Sequence, residues 1–228
     1  MSIEANAGHA GNSFSPMLIS DADFQRMVTF IKSNYGIDLS HKRQLITGRL
    51  SPTIRKMGYS SFSDFVTHLL EKKDADEITM ILNKLTTNYT FFMREQEHLE
   101  YFRQRIIPDL IRRHQRDKVL SIWSAGCSSG EEPYNITMYL FDYLGAQARQ
   151  WDTRILATDI SANALTSAKK GIYELPETMP ADWKRKYFTK NPDGTYTVVP
   201  SVRNNVIFQT FNLMNPINFR RKFDVIFC

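Results

Sequence analysis

The chain has 228 residues, 42% of them hydrophobic and 23% charged, with a formal net charge of +5. That is the make-up of an ordinary globular protein long enough for one large domain or two small ones, and the excess charge is modest beside that of dedicated nucleic-acid binders. No run approaches the roughly 18 uninterrupted apolar residues of a bilayer-spanning helix, and "MSIEANAGHAGNSF" lacks the basic and apolar segments of a secretory leader. A disordered tail over 1–18 on a cytoplasmic protein with no direct membrane insertion is therefore expected. The two cysteines, Cys127 and Cys228, make no disulfide framework. The five histidines are scattered without metal-ligand spacing, so no metal is expected.

Helical periodicity comes first along the chain. "SDADFQRMVTFIKSNYG" opens with a Ser20 to Asp23 capping pattern, sets Phe24, Met27, Val28, Ile31 and Tyr35 on one face, and stops at Gly36. Further helices are predicted through 42–56, around Phe62, Phe65, Val66 and Leu69, and around Ile78, Ile81, Leu82 and Leu85. Together they predict a small all-α domain over 19–86. "TTNYTFFMRE" follows, giving a linker over 87–94, and then a helix from about 95 to 114 interrupted or bent near Pro108.

From 118 the pattern changes. "VLSIWSA", "TRILATDI", "NVIFQTFNL" and "FDVIFC" are apolar runs of strand length, the first two separated by a helical stretch. This predicts an α/β domain over 95–228 with a parallel sheet built from βαβ units. The "NPDG" turn, flanked by Phe188 and by Tyr196, Val198 and Val199, predicts a small antiparallel β-subdomain inserted over about 173–206. No internal repeat or low-complexity tract is present.

The most informative stretch is "SIWSAGCSSGEEPYN" (121–135), a strand, a small-residue turn and a helix start. Its "AGCSSG" turn has neither the GxGxxG spacing of a dinucleotide fold nor the lysine of a P-loop, and Glu131 and Glu132 would repel phosphate. The turn still makes a crevice at the carboxyl end of a sheet, so the ligand expected there carries a cation. Ordinary helix-start carboxylates, favoured by the macrodipole beside Pro133, are the alternative. Asp159 ends the next strand, where a carboxylate can accept the hydroxyls of a ribose; capping of the helix at "SANAL" would also account for it. A ligand with a ribose and an ammonium but no phosphate fits S-adenosylmethionine better than NAD. In "TNYTFFMRE", Asn88, Thr90 and Arg94 are interleaved with aromatic residues, a pattern that an interdomain linker would equally show.

"TNYTFFMRE", "SIWSAGCSSGEEPYNI", "ILATDISANALTSAKKGIY", "FNLMNP" and "FDVIFC" together resemble the successive motifs of the chemotaxis receptor methyltransferases, over roughly residues 20 to 228. The resemblance implies a class I, Rossmann-like S-adenosylmethionine-dependent domain after the helical one. It implies methylation of receptor glutamates with S-adenosylhomocysteine as product. By the same resemblance Asn88, Thr90 and Arg94 line the cofactor site, Ala125 and Gly126 form its turn, Glu131 in preference to Glu132 takes the methionine ammonium, Asp159 the ribose, and Asn212 with Leu213 the adenine region. Arg94 would also orient a carboxylate during transfer.

"HKRQLITGRLSPTIRKMG" carries Lys42, Arg43, Arg49, Arg55 and Lys56 and no acidic residue. A solvated helix face explains this as simply; in the resembled family the helical domain faces the acidic cytoplasmic methylation helices of transmembrane chemoreceptors, for which these cations would suit. The inserted β-subdomain would dock a receptor C-terminal tail by strand addition. The family continues beyond the point corresponding to Cys228 with a loop and further strands, so the resemblance implies a fragment with an exposed apolar sheet edge. A non-catalytic cofactor-binding adaptor and an RNA methyltransferase are the alternatives, with a dehydrogenase behind them; no RRM or KH signature supports nucleic acid as a partner.

Overall fold

A computed structural model describes residues 17–228; the expected tail over 1–18 lies, except for Met17 and Leu18, outside the described residues. The chain divides into two compact units between Leu85 and Thr86.

The first unit is helical: α1 (Asp21–Tyr35), α2 (Arg43–Lys56), α3 (Phe62–Lys72) and α4 (Ala75–Leu85). Ser20 caps α1, its Oγ accepting from Asp23 N at 3.1 Å, and Ser61 caps α3 by the same bond to Asp64 N at 3.1 Å. Met27, Ile31, Ile46, Leu50, Ile54, Phe62, Phe65 and Leu69 are buried together, the i, i+3/i+4 stripes of three helices meeting in one core. Among the described residues no helix is long and apolar enough to cross a membrane.

The second unit opens with α5 (Gln96–Tyr101), a π turn (Phe102–Ile106) and α6 (Ile107–Arg113). The helix expected from 95 to 114 thus changes register before Pro108, which sits at the start of α6 where a missing N–H costs little. Phe102 and Ile107 are both buried although five residues apart. An α-helix would turn one of them off the core face, whereas the π turn, closed by Ile107 N donating to Phe102 O, keeps both on it.

A parallel sheet follows, built from β1 (Ile122–Ala125), β2 (Ile155–Asp159), β6 (Val206–Thr210) and β7 (Val225–Phe227) in the order β6-β2-β1-β7. β1 registers Ile122 against Ile155 and against Val225. Between β1 and β2 runs α7 (Glu131–Leu144), with Tyr134, Ile136, Met138 and Leu140 buried, and after β2 comes α8 (Ala162–Lys170). The expected insertion is a three-stranded antiparallel sheet of β3 (Ile172–Tyr173), β5 (Tyr196–Val198) and β4 (Phe188–Lys190) in that order, with short helices α9 (Ala181–Tyr187) and α10 (Pro200–Arg203). Phe92 joins it to the core through edge-on contacts with Tyr173 and Phe188. β7 forms one edge of the parallel sheet, with Ile226 53% exposed.

Candidate functional site

The carboxyl ends of the parallel strands determine where chemistry can sit. β1 delivers the chain into the turn 126–130, and Gly126 N and Cys127 N both donate to Thr158 O of β2 at 2.8 Å, stitching the turn to the neighbouring strand. α7 starts directly after Gly130. The segment from Thr87 to Arg94 passes over this end of the sheet: Asn88 Nδ2 donates to Ser161 Oγ at 3.1 Å and Ser128 Oγ donates to Asn88 O at 2.9 Å.

Together these elements enclose a cavity of about 740 Å³ within the second unit. Its volume falls inside the roughly 300–1,000 Å³ range of small-molecule sites. Asn88, Thr90, Arg94, Gly126 and Asp159 all line it, so five of the positions singled out in the sequence converge. Tyr89, Phe91, His98, Leu99, Tyr101, Phe102, Asn135 and Phe227 line it as well. Of these, Tyr101 and Phe102 stand at the start of the π turn, a feature that often marks functional sites. Non-glycine residues with left-handed backbone also gather here, with Met93 and Glu95 flanking Arg94 and Ser128 in the turn. Such conformations are strained, and strain collects where a site demands a particular geometry.

The carboxylates are arranged differently from the sequence expectation. Glu132, not Glu131, lines the cavity. Glu131 is buried to the side, accepting from Ser129 Oγ at 2.7 Å, while Glu132 Oε1 accepts from Ser124 Oγ of β1 at 2.6 Å. Burial pushes the carboxyls of both above the ordinary range; at Glu132 the Ser124 bond and the charges of Arg94 and His98 work in the opposite sense. Asp159 accepts Ser128 N on one oxygen and Ser161 N on the other, each at 2.8 Å. The capping oxygen of α8 is that of Ser161, which accepts from Ala164 N at 3.2 Å. Each Asp159 oxygen retains a further lone pair. Arg94 Nη1 donates to Tyr89 O at 3.0 Å.

Ala125, Asn212 and Leu213 lie outside the cavity lining. Ala125 is buried at the end of β1. Asn212 follows β6, next to Phe211, whose N–H donates to Asp159 O at 3.1 Å, and its own Oδ1 accepts from Met214 N; Leu213 is exposed. Asn135 is not among the positions singled out in the sequence, although its place three residues after Glu132 puts both on one face of α7.

In the helical unit the five cations of α2 and its N-cap residue divide into two groups by their partners. Arg43 donates to Ile19 O at 2.8 Å, pairs with Asp21 and lies 4.3 Å from the Phe24 ring centroid. Arg49 donates to Lys84 O at 3.0 Å, and Nη1 of Arg55 is buried. Lys42 and Lys56, at the two ends of the helix, are exposed. Among the described residues no cluster of His, Cys, Asp and Glu could hold a metal ion.

The donor set suits a cationic, phosphate-free ligand, and comparison with known proteins agrees. Residues 22–86 match the family described as CheR methyltransferase, all-alpha domain, and residues 88–228 match CheR methyltransferase, SAM binding domain. The chain is 35% identical over 218 residues to a chemotaxis protein methyltransferase of Borreliella burgdorferi, covering 92% of this chain and 76% of that protein. It is 36% identical to chemotaxis protein methyltransferase 2 of Pseudomonas aeruginosa (90% and 73% covered) and 34% identical to the chemotaxis protein methyltransferase of Escherichia coli (93% and 73% covered). With both of its units matched in order, the chain belongs to the CheR methyltransferase family.

Proposed function

We propose that this protein transfers a methyl group from S-adenosylmethionine to glutamate side chains of chemoreceptors in the cytoplasm, giving glutamate methyl esters and S-adenosylhomocysteine. The observation that carries the reading is the pair of carboxylates, Glu132 and Asp159, facing one cavity at the carboxyl end of the sheet beside a turn with no phosphate cradle. In this reading Glu132 takes the ammonium and Asp159 the ribose hydroxyls. Asn88, Thr90 and Gly126 line the wall around them, Ala125 backs the turn from the end of β1, and Asn212 with Leu213, outside the cavity lining, would extend the site toward the base. Glu131 shapes the turn through Ser129 rather than touching the ligand.

Bound S-adenosylmethionine supplies a methyl group activated by its own sulfonium. The acceptor glutamate, with an ordinary pKa of about 4.3, is already an anion at neutral pH, so the protein needs no general base. Its tasks are alignment and exclusion of water. Arg94, half exposed at the cavity edge, orients the acceptor carboxylate. Leu99, Phe102 and Phe227 give the cavity an apolar wall. Lys42 and Lys56 present charge to the acidic receptor helices, and Arg43, Arg49 and Arg55 hold the helices that carry them. The antiparallel sheet would take a receptor tail along an edge strand.

Isothermal titration of S-adenosylmethionine, S-adenosylhomocysteine and NAD into the folded chain tests the cofactor assignment. Saturable binding of the first two and none of NAD is expected; NAD binding, or no binding by a folded chain, would sink it. Transfer of label from S-adenosylmethionine to a chemoreceptor cytoplasmic fragment, as base-labile ester, tests the acceptor.

A further inference from the structure

Asn135 stands on the inner face of α7 at 1% exposure, and its Oδ1 is buried without a hydrogen-bond partner. A buried amide acceptor left unpaired is destabilising, and such groups are few in folded proteins. Asn135 is also one of the residues that line the cavity already described. Its neighbours on the same face of α7 define what it could meet. Glu132 is one helical turn earlier, a spacing that sets the two Cβ atoms about 5–6 Å apart. Glu132 has one oxygen occupied by Ser124 Oγ, and Leu99 and Phe102 supply apolar wall on the facing element. A carboxylate and a neutral amide oxygen, side by side and walled by hydrocarbon, form an acceptor pair for a group with several N–H donors and a positive charge. A primary ammonium has three donors and no acceptor.

We infer that Asn135 Oδ1 is a second acceptor for the primary ammonium of the ligand, clamping it together with Glu132. This rests on the proposed cofactor and adds to it a residue that selects for an unblocked amine. The orphaned oxygen then has a reason to exist: it is unpaired only until the ammonium arrives. The apo protein carries the strain, and bound ligand relieves it.

The test is isothermal titration of S-adenosylhomocysteine, its decarboxylated analogue and 5′-methylthioadenosine, which lacks the whole amino-acid part, into the full chain and into Asn135→Leu and Asn135→Ala. The expected result is a loss of about tenfold in affinity for S-adenosylhomocysteine and for the decarboxylated analogue in both variants, and less than about twofold for 5′-methylthioadenosine, since one hydrogen bond to a charged group is worth about 1.5–3 kcal/mol. Asn135→Leu should melt no lower than the parent, because it removes the orphaned acceptor. Equal affinities in parent and variants overturn the inference. So does equal weakening of all three ligands, which would make Asn135 structural, and so does loss confined to S-adenosylhomocysteine, which would put the amide on the ligand's carboxylate. If the parent itself binds none of the three, the cofactor assignment falls before the inference is reached.

Discussion

Two glycines bracket the turn between β1 and α7, and the structure gives them opposite tasks. Gly126 has φ +86° and Gly130 φ +96°, so an alanine at either position meets the left-handed penalty of about 1–2 kcal/mol. The reduced freedom of the unfolded chain returns about 0.4–1 kcal/mol of that. At Gly126 nothing lies within 4 Å of an added Cβ, and the position faces the cavity. At Gly130 a Cβ would lie 2.8 Å from Ala168 Cβ, 3.1 Å from Tyr173 Oη and 3.2 Å from Ala168 Cα. Two of those atoms belong to the fixed part of α8, so overpacking adds about 1–3 kcal/mol. Gly126→Ala should therefore destabilise by about 1 kcal/mol or less and Gly130→Ala by about 2–4 kcal/mol, the difference appearing as roughly 2–4 °C of melting temperature per kcal/mol. All three tryptophans, Trp123, Trp151 and Trp183, lie in the second unit, so their fluorescence reads that unit alone. Cofactor affinity should show the reverse order, falling about tenfold in Gly126→Ala. If Gly126→Ala melts as low as Gly130→Ala, or binds S-adenosylhomocysteine as well as the parent, the division of labour is wrong.

Glu132→Gln should weaken S-adenosylhomocysteine binding by at least about tenfold, as expected for loss of a charged partner, while Glu131→Gln should weaken it much less; titration of both variants checks the assignment, and the opposite order would return the ammonium to Glu131. Because burial raises the Glu132 carboxyl above its ordinary value, ionising it costs folding free energy, so apo Glu132→Gln should melt no lower than the parent at neutral pH. His114 closes α6 against both Asp117 (3.1 Å) and Asp224 (3.0 Å); burial alone would lower its pKa, but the hydrogen bonds to Asp117 and Asp224 prevail and raise it above 6.5. Its contribution is thus fully present below 6.5 and lost as pH rises through the raised value, so the stability gap between parent and His114→Gln in tryptophan-monitored urea melts should be widest below 6.5 and narrow above it. A gap independent of pH would refute this. Charge reversal of Lys42 and Lys56 together should cut capture of an acidic receptor fragment severalfold at low ionic strength and little at about 0.5 M salt, with cofactor affinity unchanged; Arg43→Glu should instead lower the melting temperature of the helical unit, because Ile19 O and Asp21 lose their partner.

Much of this was legible in the residues. Ser20 and the apolar stripes of α1, α3 and α4 specify those helices by local chemistry, and four apolar runs of strand length specify the parallel sheet, because pattern and burial coincide there. The convergence of Asn88, Arg94, Gly126 and Asp159 was legible through motif order alone. What was missed depends on long-range packing. The π turn shows only as a five-residue gap between Phe102 and Ile107; Pro108 signals an interruption nearby but not its kind. β3 has two residues, too short for any period, and exists because β5 pairs with it. Glu131 and Glu132 differ by about 100° around α7 as any neighbours on a helix do, and which of them faces the cavity depends on how α7 packs, with Gly130 close against Ala168, which no reading of "GEEP" contains. Likewise nothing in the α2 sequence says that Arg43 folds back onto Phe24 while Lys42 does not.

The electrostatics of the turn explain why a protein would keep two adjacent glutamates at a helix start and bury one of them. A helix N-terminus and a turn of backbone N–H groups ordinarily invite an anion. Here the invitation is taken up from within: Ser128 N is already committed to Asp159, and Glu131 and Glu132 place negative charge at the first turn of α7. The neighbouring groups register the result. Burial raises the pKa of the Cys127 thiol, with Asp159, Glu132 and Glu131 adding to the rise, and burial raises that of the Tyr173 hydroxyl, with Glu131 adding to it. A second anion entering this cavity would meet like charge in a poorly screened setting, whereas a cation gains from it. The same sheet topology that elsewhere binds a pyrophosphate is thereby turned toward a ligand whose charge has the opposite sign, and the choice is made by side chains at the turn rather than by the fold.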